Sequence, residues 1–118
     1  MRIKLFEEYK ILSFDNYNIV SKYEHDKLIK NSNWLLLSIY ELEKLEKYVK
    51  IKEMILSPFL PRPYYNLSYD KFFNIDLIKL EDDYYAINFY YRHDKYYIIC
   101  DQFSELLKLI KYIKNNED

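Results

Sequence analysis

Glycine is absent from this 118-residue chain, and cysteine and tryptophan occur once each and proline three times. Without glycine, turns fall to Asn, Asp, Ser, Pro or Lys. Phosphate-cradling glycine loops and glycine-dependent hairpin turns are therefore expected to be missing. A lone Cys100 permits no internal disulfide and fits a reducing compartment. No apolar run approaches the ~18 residues of a membrane span. Glu7 and Glu8 stand where a signal peptide needs an apolar core. These absences predict a soluble, cytoplasmic protein without membrane contact.

Charge of one sign is lacking too. A net charge of -1 with 31% charged residues indicates neither a polyanion partner nor an acidic mimic. Lys, Ile, Asn, Tyr and Phe fill 60 of the 118 positions, whereas Gly, Ala, Arg and Pro fill 7. That bias is the mark of A/T-rich codons. The 15 tyrosines thus reflect an AT-rich genome before they reflect function. The length suits a single domain spanning 1–118, able to bury about two-thirds of its unfolded surface.

The clearest pattern lies near the C-terminus. Tyr85, Ile87, Phe89 and Tyr91 alternate with Ala86, Asn88 and Tyr90, the period of a strand. Strands are predicted over Ile75–Leu80, Tyr84–Tyr91 and Tyr96–Cys100, with Arg92-His93-Asp94-Lys95 as a hairpin gap. Phe103, Leu106, Leu107, Ile110 and Ile113 then recur at helical spacing, so a helix is expected from about Gln102 with Asp101 as N-cap. Leu106 and Ile110 are expected to be core.

The first half reads as helical. Ile3, Phe6 and Tyr9, with Ile11 or Leu12, suggest a short amphipathic helix, and Tyr23 to Lys30 a second. Trp34-Leu35-Leu36-Leu37 reads as core. Ser38 and Glu41 have the spacing of a capping box opening a further helix, with Leu42, Leu45, Tyr48 and Val49 as its buried stripe. Residues 51–60 suit a strand, after which Pro58, Pro61 and Pro63 are expected to prevent regular structure to about Tyr65. Pro61-Arg62-Pro63 is either a rigid crossover or a partner-binding loop. The fold expected is α+β: N-terminal helices plus a small antiparallel sheet of about three strands, packed by a C-terminal helix.

Three stretches carry a resemblance. They are Lys79 to Tyr85, Tyr96 to Phe103 and Glu105 to Ile110, read as KLEDDYY, YYIICDQF and ELLKLI. Together with the opening from Met1 to Tyr9 and the Ser38/Glu41 helix start, this resembles small uncharacterised phage-encoded proteins. Those proteins carry Gly in the final helix where this chain has Ser104 or Glu105. The resemblance implies a phage or mobile-element origin, hence the cytoplasm of a host cell, and no particular reaction.

No enzyme signature emerges, and no catalytic residue, metal ligand or cofactor is assigned. His93 and Cys100 lie on or beside adjacent predicted strands, but His93 belongs to the polar hairpin gap, and Cys at a buried strand end usually acts as a small hydrophobe. His25-Asp26 and His93-Asp94 are adjacent pairs without metal-ligand spacing. Glu81-Asp82-Asp83 is an acidic turn without a partner segment. The function expected is a non-enzymatic protein-binding module acting on a host or phage protein, in anti-defence or host takeover. Its contact residues are expected to be Tyr84, Tyr90, Arg92, Lys95 and Tyr96 on an open sheet face. The alternative is a nucleic-acid-associated accessory protein, because the same hairpin interleaves aromatic and basic groups. A homo-oligomer through a sheet edge is a further expectation.

Overall fold

A computed structural model of the protein describes residues 11–55, 62–69 and 73–117. The helix expected from Ile3 to Tyr9 lies outside them; Ile11 and Leu12 are not helical. The described elements run β1 (Ile19–Val20), α1 (Lys22–Lys30), β2 (Trp34–Leu35), α2 (Ile39–Glu46), β3 (Lys50–Ile55), β4 (Pro63–Tyr69), β5 (Phe73–Leu80), β6 (Tyr85–Tyr91), β7 (Asp94–Cys100) and α3 (Phe103–Glu117).

Among the described residues seven strands form one antiparallel sheet, ordered β1-β7-β6-β5-β4-β3, with β2 joining β5. The expectation of a three-stranded sheet beside N-terminal helices is therefore overturned. Two of the additional strands, β3 and β4, flank the proline segment. Pro63 is the first residue of β4, where a missing N–H is tolerated, so it opens a strand instead of preventing one. The other two, β1 and β2, are two residues each, too short to display a period.

Alternation builds the main core. Tyr85, Ile87 and Phe89 of β6 face inward with Ile75 and Leu77 of β5 and Ile98 of β7. Leu45 of α2 and Leu106, Leu109, Ile110 and Ile113 of α3 close that face, and Phe14 fills its end. Leu106 and Ile110 are buried as expected. Truncating such a leucine typically costs about 2–5 kcal/mol. Helix α3 begins one residue later than a cap at Asp101 would require, since the Leu106 N–H donates to the Gln102 carbonyl.

The opposite face is not open throughout. Ile78, Leu80, Ala86 and Ile99 form a second apolar cluster beneath Leu28 and Ile29 of α1, joined by Val20, Trp34 and Tyr64. This explains why both phases of β5 are apolar: one part of that strand is covered on both faces. Trp34 anchors the cover, its indole Nε1 donating to the Ile29 carbonyl at 2.7 Å. The Arg62 guanidinium stacks 5.2 Å from the same ring. Of the Pro-Arg-Pro loop, Pro61 lies outside the described residues.

The hairpin between β6 and β7 corrects a second expectation. Tyr91 pairs with Asp94, which leaves a two-residue loop in which Arg92 and His93 have φ of 51° and 73°. Positive φ at both central positions is the geometry that Asn-Gly usually supplies. The glycine-free chain makes this turn nonetheless.

Candidate functional site

Register decides where the expected contact residues go. Tyr90 pairs with Lys95 and Phe89 with Tyr96. Tyr90 and Lys95 therefore share the outer face, and Tyr96 points to the helix-covered face. There it stacks on Phe89 at 5.6 Å and meets Phe14 at 5.0 Å. The placement of Tyr96 on an open face is thus corrected. Tyr97 lies on the outer face instead, half-buried, with the Lys95 ammonium 5.0 Å from the Tyr90 ring and 5.5 Å from the Tyr97 ring. Arg92 is exposed in the turn. Tyr84 follows the acidic turn Glu81–Asp83 at the opposite end of β6, about 20 Å from Tyr90 along the strand. The five residues do not form one site. Any even-length turn after Tyr91 sets Tyr96 in phase with Phe89 and Tyr91, and that parity was the signal in the sequence.

Beside Tyr90 and Tyr97 the outer face is polar. A row runs Lys52, Asn66, Asp76, Asn88, Tyr97 across five strands. The Asn66 amide donates to Asp76 at 3.3 Å. His25 of α1 is buried against Tyr97, with ring centroids 4.9 Å apart. Its Nδ1 lies 3.1 Å from Asp26, and its Nε2 has no hydrogen-bond partner among the described residues.

The most constrained polar group is elsewhere. Glu41 fills the N3 position of the expected capping box: Ser38 Oγ accepts from the Glu41 N–H at 3.1 Å, and Glu41 Oε1 accepts from the Ser38 N–H at 2.8 Å. The carboxylate is also buried, and it receives Lys79 Nζ at 2.6 Å and the Tyr85 hydroxyl. Lys79 and Tyr85 are cross-strand partners on β5 and β6. Burial alone would raise the Glu41 carboxyl, but the hydrogen bonds from Lys79, Tyr85 and Ser38 outweigh it and hold the group below its ordinary range. Burial, followed by the bond to Glu41, pushes the Tyr85 phenol well above its ordinary range. The set is a clamp fastening α2 to the sheet. Sequence spacing shows only its local half.

That clamp holds an apolar corner in the open. Leu36, Ile39 and Tyr40 are 61%, 75% and 63% exposed, and Leu35 is partly so. The expected core run Trp34 to Leu37 buries only Leu37 fully, so the assignment of Leu35 and Leu36 to the core is corrected. Leu37 fixes the corner from below, its N–H donating to the Tyr65 hydroxyl at 2.9 Å.

Thiol chemistry finds no geometry here. His93 lies in the turn before β7 and Cys100 at the far end of that strand, about 23 Å away along it. Burial first, then Glu105 and Asp101, push the Cys100 thiol up to about 12. Among the described residues no three His, Cys, Asp or Glu side chains converge on a metal-sized space, and no helix is long and apolar enough to cross a membrane. Strand β3 forms one sheet edge and exposes Lys50, Lys52 and Glu53, charges that discourage another strand from pairing. No family model matches the chain, and no curated protein or solved structure matches it.

Proposed function

We propose that the protein is a non-enzymatic binding module, an accessory protein of a phage or mobile element that docks on a host protein to block or redirect it. What carries the reading is the corner formed by Leu36, Ile39 and Tyr40. These are large apolar side chains, solvent-exposed and clustered within five residues. Folding gains nothing from their exposure, and clustered exposed apolar groups mark contact sites. The corner is also preorganised by the Ser38/Glu41 box and the Lys79 and Tyr85 bonds, so little ordering entropy is lost on docking.

A second reading is kept for the outer sheet face, where Lys95 lies between the rings of Tyr90 and Tyr97. The exposed Tyr90 ring with a nearby cation suits a stacked base and a phosphate. Asp76 in the middle of that face weighs against it. Nuclease treatment separates the readings. Capture of a cellular protein that survives nuclease supports the apolar corner, whereas capture of a single-stranded oligonucleotide, lost steeply with salt, supports nucleic acid.

A further inference from the structure

A groove between α2 and α3 continues the apolar corner. Its volume is about 440 Å³, and its walls include Tyr40, Lys44, Lys47, Tyr48, Phe103 and Lys111. We infer that this groove receives an acidic peptide segment of the partner that carries an aromatic or aliphatic anchor side chain. The inference rests on the protein-binding reading and adds the chemistry of the partner.

Charge is the first observation. Three lysines and no carboxylate line the groove among the described residues. Glu41 is buried in its clamp, Glu46 borders the β3 side of α2, Glu105 borders a depression beside Tyr17 and Cys100, and the exposed Glu43 of α2 is not among the lining residues. None of Lys44, Lys47 and Lys111 has an ion-pair partner among the described residues. Two instead rest on rings of the groove itself, Lys44 5.5 Å from Tyr40 and Lys111 5.6 Å from Tyr48. Ammonium groups held over aromatic faces stay solvated and available to carboxylates.

Shape and continuity choose the occupant. Tyr40 and Phe103, 6.2 Å apart, form an aromatic wall. The volume falls in the ~300–1,000 Å³ range of specific ligand pockets. Tyr40 belongs both to the exposed corner and to the groove wall, and Lys44 follows it one turn along α2, so corner and groove adjoin. A mononucleotide would fill the groove and leave the neighbouring Ile39 uncovered. An extended or helical acidic segment covers both.

The test uses two synthetic peptides, one with a central tryptophan flanked by glutamates and one with every glutamate changed to glutamine, and AMP as a third ligand. In ¹⁵N-labelled protein the acidic peptide is expected to shift the amides of Tyr40, Lys44, Lys47, Ser104 and Lys111. The glutamine peptide is expected to bind at least about tenfold more weakly, as is the acidic peptide to Lys44→Glu/Lys111→Glu. Lys44→Gln/Lys111→Gln, with the wild-type melting temperature, guards against a folding defect and is expected to weaken binding in the same direction. Absent or displaced shifts, equal binding of both peptides, or AMP shifting these amides while the acidic peptide does not would each overturn the inference. The protein-binding reading fails separately: it falls if Ile39→Asp leaves capture of a cellular protein unchanged. It survives if Ile39→Asp abolishes that capture while the lysine variants retain it.

Discussion

Lys79 Nζ lies 2.6 Å from Oε1 of Glu41, with both side chains largely withdrawn from solvent. This pair joins the first turn of α2 to β5, and the Tyr85 hydroxyl completes it from β6. An ion pair so buried gives little net stability relative to an apolar substitute, yet breaking it leaves a charge without a partner.

Glu41→Ala is therefore expected to destabilise by about 3–5 kcal/mol, measured by denaturant unfolding. The acid side follows from the depressed carboxyl. Its folded value lies below the ordinary 4.5, so its contribution is complete above that pH. As pH falls, the unfolded chain takes up the proton first, and the contribution is lost as pH passes through the folded value. Wild type should accordingly lose more stability than Glu41→Gln between neutral pH and about pH 3. Parallel acid dependence of the two proteins would show that Glu41 is not held as described.

The hairpin offers a gain. Arg92 and His93 both occupy left-handed backbone, at a cost of roughly 1–2 kcal/mol each for ordinary side chains. Arg92→Asn with His93→Gly should raise stability by about 1 kcal/mol or more, read as a higher thermal midpoint. A lower midpoint would mean that the two side chains contribute contacts outweighing their backbone strain.

Tyr90 and Tyr96 test the register. Tyr90→Ala should change stability by no more than about 0.5 kcal/mol, because that ring is 66% exposed. Tyr96→Ala should cost about 2 kcal/mol or more, since it removes a ring packed on Phe89 and Phe14. Similar melts for the two variants would contradict the assignment of faces.

These corrections mark how far the sequence could be read. Long periodic segments were legible: α3 from its apolar stripe, β6 from alternation, α2 from Ser38 and Glu41. Strands β1 and β2 carry no period, and Pro63 reads as a breaker until its place at the start of β4 is known. Tyr96 belongs to the inner face for a two-residue or a four-residue turn alike, because either one sets it opposite an odd-numbered residue of β6, Phe89 or Tyr91; an outward Tyr96 never agreed with the alternation of β6. The exposed corner was illegible for a different reason. Leu35, Leu36 and Leu37 look alike in sequence, and only the bond from Leu37 to Tyr65 and the seating of Glu41 determine which leucine goes in.

The most direct measurement is quantitative capture of a cellular protein by three immobilised forms: wild type, Ile39→Asp/Tyr40→Ser, and Tyr90→Ala/Lys95→Gln. All three should melt within a few degrees of one another, since the substituted side chains are exposed. The corner variant is expected to lose the captured partner while the sheet-face variant keeps it. Retention by the corner variant together with loss by the sheet-face variant would contradict the assignment and move the binding site to the outer face of the sheet.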